Sequence, residues 1–221
     1  MLLIHSHARL ALLPVFLLLG ACATSRSTLA LDIPAQSTVV SASKVAVIDA
    51  VTDQRTFEED PDEPSTPSLK KGEKYSLDAQ GRSQAIARKR NGYGMAIGDI
   101  MLEGDKTVES LTRGLVTQGL QQRGYRVAAV GEAVPADALK VRVDVGEFWA
   151  WITPGMWAGT IEARVNTSIQ ATTDSTRSIE VLGYGENIVQ TGRDLNWQQA
   201  YERAFNDYLD KFKVALDTAG L

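Results

Sequence analysis

Hydrophobic and polar residues alternate along several stretches in the second half of the chain. Four apolar residues within 139–145 alternate with Lys140, Arg142 and Asp144, and residues 161–171 repeat the same period of two. This period is typical of strands that bury one face and expose the other. A further strand is predicted over 179–190, where Gly183 and Gly185 indicate either a bulge or the close approach of another element.

Two other stretches have apolar residues three and four positions apart, which predicts helices. The first covers 108–120, with Asp105 as its expected cap and Gly124 at its expected end. The second begins near Asn196, which with Gln199 resembles a capping box. Its apolar stripe is aromatic and is expected to lie across the sheet; it consists of Trp197, Tyr201, Ala204, Phe205, Tyr208, Phe212 and Leu216.

Shorter apolar runs predict strands at 44–49, 85–90, 95–102 and 125–130, and the run Asn91-Gly92-Tyr93-Gly94 predicts a tight turn. Together these elements predict an α+β fold: a mainly antiparallel sheet with two principal helices packed on one face. We expect residues 44–221 to form this single domain.

The N-terminal segment has the features of a secretory signal. Arg9 is followed by an apolar run over 10–19, which is too short to span a bilayer, and then by Leu19-Gly20-Ala21-Cys22. A cysteine at this position looks like the lipidation site of bacterial lipoproteins; the alternative is an ordinary signal with a chance cysteine. We therefore expect a signal peptide over 1–21, a fatty acid such as palmitate on Cys22, and a flexible tether over 22–43.

Composition narrows the possible chemistry. Both histidines, His5 and His7, lie in the predicted signal, and Cys22 is the single cysteine. The remaining chain lacks the imidazole base of Ser-His-Asp or Cys-His sites and the usual ligands of zinc. A net charge of −4 does not favour nucleic-acid binding. We expect no enzyme activity, no metal and no cofactor.

Two charged stretches follow the first predicted domain strand. Residues 58–68 are acidic and rich in proline, which predicts a mobile loop. The basic stretch after it includes Arg88, Lys89 and Arg90. These cations either neutralise the acidic loop or contact anionic headgroups or cell-wall polymer.

Two more groups of residues are candidates for partner binding. Asp53 and Arg55 share one side of an extended chain, so they form either a structural ion pair or a joint binding site. Trp149, Trp151 and Trp157 surround Pro154-Gly155, which places them near a hairpin tip. Their rings either fold back onto the core or form an exposed patch that anchors a partner or a membrane interface.

The order of these features resembles the YajG-type family of uncharacterised bacterial lipoproteins. The resemblance rests on the lipidation motif, on Asp53-Gln54-Arg55 after a strand, on residues 86–94, on the helix that ends at Arg123-Gly124-Tyr125, and on the final strands and helix. It implies an outer-membrane lipoprotein that faces the periplasm, with no catalytic residues to carry over. In such proteins Asp after the lipidated Cys favours inner-membrane retention, and this chain has Ala23 there.

Three functions remain open. The first is a non-enzymatic binding or assembly-accessory module that is anchored in the envelope and has a protein or polymer partner. The second is a structural tether that contacts cell-wall polymer or lipopolysaccharide through Arg88, Lys89 and Arg90. The third is a glycan hydrolase, which needs two carboxylates about 5–10 Å apart, with Asp144 and Glu147 as the nearest candidates.

Cys22 is expected to carry the membrane anchor, because no other segment of the sequence is long and apolar enough to span a bilayer. Each buried CH₂ of an acyl chain contributes about 0.8 kcal/mol to membrane attachment. Cys22→Ala is therefore expected to abolish incorporation of a fatty-acid analogue during expression. Equal labelling of the wild type and the variant would contradict lipidation at this residue.

Overall fold

The computed structural model describes residues 26–35, 42–59, 61–69, 79–91 and 93–221. No helix in these ranges is both long and apolar enough to cross a membrane. The elements of the described ranges, in chain order, are β1 (Ser27–Leu29), β2 (Lys44–Asp53), β3 (Glu58–Glu59), β4 (Ser68–Leu69), α1 (Ala79–Gln84), β5 (Ala85–Arg90), β6 (Ala96–Leu102), α2 (Val108–Gln122), β7 (Tyr125–Val127), β8 (Leu139–Thr153), β9 (Gly159–Thr172), β10 (Thr176–Val189) and α3 (Asp194–Thr218).

Eight of the described strands form one sheet, in the order β1-β6-β5-β8-β2-β7, and β9 and β10 extend it from the other edge of β8. The pairings β5–β6, β8–β9 and β9–β10 are antiparallel, whereas β1–β6, β2–β7, β2–β8 and β5–β8 are parallel. The α+β class is confirmed, with α2 and α3 on one face. Most paired residues are antiparallel, but the sheet is mixed, because β1, β2 and β7 reach it by crossovers instead of hairpins and pair in parallel.

Helix α3 packs on β9 and β10 through the predicted aromatic stripe, every member of which is buried. The glycines of β10 allow this contact. A Cβ atom at Gly183 or Gly185 would run into the backbone of α3 at Ala204 or Ala200. The prediction of a close approach at these glycines is therefore confirmed, and it is this approach that brings the helix down onto the sheet.

The residues that precede the first turn of each helix are not the predicted caps, although α2 begins at Val108 as the pattern predicts. Thr107, not Asp105, caps α2: its Oγ1 accepts from the Ser110 amide, and the Ser110 hydroxyl accepts from the Thr107 amide. Helix α3 begins at Asp194 after Arg193, which makes no side-chain cap. Asn196 and Gln199 instead bond to Thr191 and Asn187. The predicted end of α2 is confirmed, since Gly124 has φ of 79°.

Two segments expected to be flexible contribute to the fold. Within 58–68, Glu58–Glu59 pairs in parallel with Ser68–Leu69, and Pro61 between them is buried. Within the expected tether, Ser27–Leu29 adds a strand to the sheet beside β6, and Leu29 and Leu31 enter the core. The polar composition did not predict this strand pairing and burial, because they depend on a few apolar side chains and backbone pairings.

Gly185→Ala is expected to lower the free energy of unfolding by about 1–3 kcal/mol, because the added methyl must push α3 away from β10. Urea unfolding of the purified protein measures this loss. Glu180→Ala, at an exposed position of the same strand, is the matched control and is expected to change stability little. Equal stability of the two variants would contradict the close contact.

Candidate functional site

Asp53 and Arg55 form a buried ion pair at the end of β2. Arg55 Nε and Nη2 donate to the two carboxylate oxygens of Asp53 at 2.8 and 2.7 Å. Arg55 Nη1 also donates to the carbonyls of Ala85 and Phe148 at 2.6 and 2.9 Å, and Nη2 donates to the carbonyl of Arg82 at 2.8 Å. These bonds use all five N–H groups of the guanidinium, so the structural interpretation of the pair accounts for the geometry.

The position of Arg55 in the sheet explains its burial. One edge of β8 pairs with β2 up to Val145 and with β5 at Ala150. Arg55 lies between these two partners and satisfies the carbonyl of Phe148, which neither neighbouring strand reaches. The guanidinium therefore replaces a strand at the point where β8 changes partner.

The three tryptophans of the predicted turn have different environments. Trp149 and Trp151 lie within β8, which continues to Thr153, and they are 2% and 6% exposed. They pack on the sheet face opposite the helices, under the segment 57–69: Phe57 contacts the Trp149 ring edge to face, and Trp149 Nε1 donates to the carbonyl of Pro64 at 3.3 Å. For these two residues, a partner-binding role is excluded by burial.

Trp157 is 89% exposed in the loop between β8 and β9. The β5–β6 hairpin, the β8–β9 loop, the end of β10 and the start of α3 all lie at the same end of the strands as Trp157. We call this end of the sheet the apolar tip. Its exposed apolar residues are Tyr93, Met95, Met156, Trp157, Ile188 and Leu195.

The three basic candidates of β5 also have different environments. Arg88 is buried and lies opposite Asp99 across the β5–β6 pair, so it is not available to a partner. Lys89 forms an ion pair with Asp194 at 3.4 Å, and Arg90 donates to the carbonyls of Gly94 and Pro61 at 2.9 and 3.3 Å. Lys89 and Arg90 remain at the apolar tip.

A cavity of about 460 Å³ opens at the apolar tip, between the ends of the strands and the start of α3. The buried Trp197 and the side chains of Ile97 and Ile152 give it an apolar lining. Three cations and one carboxylate complete it: Lys89, Arg90, Arg193 and Asp194. We call this space the cationic cavity; its charge favours an anionic ligand, and its apolar surface favours a ligand with a hydrocarbon part.

Arg193 was not singled out from the sequence, although one signal points to it. A cation at the N-terminus of a helix opposes the positive end of the helix dipole and usually costs stability there. Arg193 precedes α3 in that position without capping it. A residue that is locally unfavourable is a candidate for a function in binding.

Tyr201 and the two carboxylates of the hydrolase hypothesis lie outside the lining of the cationic cavity. The Tyr201 hydroxyl donates to the carbonyl of Ile86 at 2.6 Å, and its burial raises the pKa of the phenol well above the ordinary value, although nearby Arg55 opposes the rise. Asp144 and Glu147 are half-buried on the sheet face opposite the helices. Among the described residues, no three carboxylates, histidines or cysteines cluster as metal ligands do. Cys22 lies outside the described residues.

No family model and no curated protein matches the chain. Similar solved structures include an uncharacterised protein with 9% identity and a TM-score of 0.41, covering 88% of this chain and 99% of that one. A Xanthomonas campestris protein of family DUF330 has 11% identity, a TM-score of 0.40 and coverages of 88% and 98%. A Helicobacter pylori protein described as a neuraminyllactose-binding hemagglutinin homolog has 9% identity, a TM-score of 0.33 and coverages of 84% and 92%.

Arg55→Met is expected to lower the free energy of unfolding by about 3–5 kcal/mol, because it leaves the Asp53 carboxylate and three backbone carbonyls without their donor. Chemical denaturation measures the loss. Lys211→Met removes an exposed ion pair to Asp207 on α3 and is expected to cost less than about 1 kcal/mol. Similar losses in both variants would contradict the structural role of Arg55.

Proposed function

We propose that the chain is a lipid-anchored, non-enzymatic binding module of the bacterial cell envelope. Cys22 holds it at the outer membrane with the domain facing the periplasm, and the cationic cavity binds the anionic group of an envelope ligand. The observation that carries the proposal is the placement of cations beside an apolar cavity at the same edge as exposed aromatic rings.

The charges of the cavity favour a particular ligand class. Asp194 offsets Lys89, which leaves the guanidiniums of Arg90 and Arg193 as the excess positive charge. Guanidinium groups bind phosphate and carboxylate through paired N–H donors. With Trp197 and Ile152 beside them, these groups suit an amphiphile that joins an anionic head to a short apolar chain.

The two other functions have less support. The tether model used Arg88 together with Lys89 and Arg90, but Arg88 is buried, so only two of the three cations are available to a cell-wall polymer or lipopolysaccharide. The hydrolase model used Asp144 and Glu147, but these carboxylates lie away from the cationic cavity, on the opposite face of the sheet.

Octyl phosphate is a suitable probe, because it has a phosphate head and a short apolar chain. We expect calorimetric titration of the full-length lipidated protein in zwitterionic nanodiscs to detect binding, and Arg193→Gln to weaken it about tenfold through loss of a charged hydrogen bond. Octanol, which lacks the anion, is expected to bind more weakly than octyl phosphate.

Arg142→Gln is the matched control, because it removes the same charge from an exposed position on β8 far from the cavity. Its affinity for octyl phosphate is expected to equal that of the wild type. Equal affinities of wild type and Arg193→Gln, or equal binding of octanol, would overturn the assignment of the cavity.

A further inference from the structure

The first described residues fix the direction from which the chain enters the domain. Strand β1 runs parallel to β6, with Ser27 beside Ile100, and Arg26 forms an ion pair with Asp99 at 3.6 Å. Ser27 Oγ donates to Asp194 Oδ1 at 3.3 Å. Since β6 begins at the apolar tip and runs away from it, Arg26 lies on the side of Ser27 that is nearer the apolar tip.

Few residues separate the predicted lipidation site from the first described residue of the domain. Cys22 precedes Arg26 by four positions, which span at most about 14 Å of extended chain. Helix α3 has 25 residues and is about 37 Å long, starting at the apolar tip. A lipid on Cys22 therefore brings this edge of the domain, and not the far end of α3, within reach of the bilayer surface.

The apolar tip has the composition of a membrane-contacting surface. Of the nine large apolar side chains that are exposed in the described part of the chain, six lie here, and the other three are Val130, Leu182 and Val214. Tyr93 is 91% exposed, like Trp157. Tyrosine and tryptophan are the residues that favour the headgroup layer, because one end of the ring system is apolar and the other is polar.

On one side of the apolar tip, the charges favour contact with an anionic bilayer. The exposed Arg193 lies on the side of α3, where it can approach lipid phosphates. The exposed acidic residues Asp62 and Glu63 belong to the segment that covers the opposite face of the sheet. This asymmetry favours a contact through the side of α3.

We propose that the apolar tip docks onto an anionic lipid bilayer, with the Trp157 and Tyr93 rings in the headgroup layer and Arg193 against lipid phosphate. The domain then lies directly on the membrane that holds it, with the mouth of the cationic cavity at the lipid surface. The orientation rests on the lipid anchor of the proposed function, whereas the surface itself is defined by the described residues.

Depth-dependent fluorescence quenching tests this orientation. The full-length lipidated protein is reconstituted in vesicles of phosphatidylcholine and phosphatidylglycerol, with or without brominated acyl chains. The emission of Trp157 is obtained by subtracting the tryptophan emission of Trp157→Phe from that of the wild type. We expect brominated lipid to remove most of this emission, because the ring lies within contact distance of the upper acyl chain.

A relocated tryptophan is the matched control. Trp157→Phe combined with Val214→Trp places the reporter at an exposed position of α3, about 30 Å along the helix from Asp194. This tryptophan is expected to keep its emission. We further expect Arg193→Gln to lower the docked-to-undocked ratio about fivefold in anionic vesicles, and Arg142→Gln to leave it unchanged.

The outcomes separate the two proposals. Co-sedimentation with vesicles but no quenching of Trp157, or equal quenching of the tryptophan at position 214, overturns docking by the apolar tip and leaves the lipid anchor intact. Failure to co-sediment overturns the anchor and the docking together. Unchanged octyl phosphate binding in Arg193→Gln, measured separately, overturns only the assignment of the cationic cavity.

Discussion

The guanidinium of Arg55 occupies the point at which β8 exchanges one parallel partner for another, and the arrangement of the sheet depends on it. Strand β2 leaves β8 after Val145, whose carbonyl accepts from the Gln54 amide, and β5 joins at Ala150. Between them, Arg55 binds the carbonyls of Phe148, Ala85 and Arg82. A buried arginine is stable only when a carboxylate and further acceptors satisfy it. Asp53 supplies the carboxylate two residues away, so the short run Asp53-Gln54-Arg55 contains both charges of the junction.

This junction also contacts β5, the strand that ends at the apolar tip. Because β5 is held against the last third of β8, its end brings Lys89 and Arg90 beside the start of α3, where Asp194 pairs with Lys89. The Tyr201 hydroxyl strengthens the same arrangement, since α3 is bonded through it to β5 at Ile86. The buried ion pair thus contacts β5 where the strand begins, at Ala85, and the cationic cavity lies where it ends, at Lys89 and Arg90.

The sequence predicted the elements whose periodicity extends over many residues. The strands β8, β9 and β10 and the aromatic stripe of α3 are confirmed because a regular period and a buried face repeat there over ten residues or more. Features that depend on a few contacts were missed. Strand β1 has three residues, and the cap of α2 depends on whether Thr107 or Asp105 has the extended backbone before the first turn. Tertiary packing decides between such alternatives, and a local sequence pattern carries no information about tertiary packing.

The tryptophans show why the candidate site was only partly predictable. Trp149 and Trp151 have the spacing of a strand, but a strand residue can lie on either face of the sheet. The face opposite the helices was expected to be exposed to solvent. The segment 57–69 covers that face, and its proline carbonyl and phenylalanine ring bury Trp149. The acidic segment has no hydrophobic periodicity that would predict its contact with Trp149. Once the segment is in place, the aromatic surface that remains is Trp157 and its neighbours at the apolar tip. The segment 57–69 and the apolar tip are therefore linked: the segment removes one aromatic surface from water, and the aromatic surface that remains exposed lies at the apolar tip.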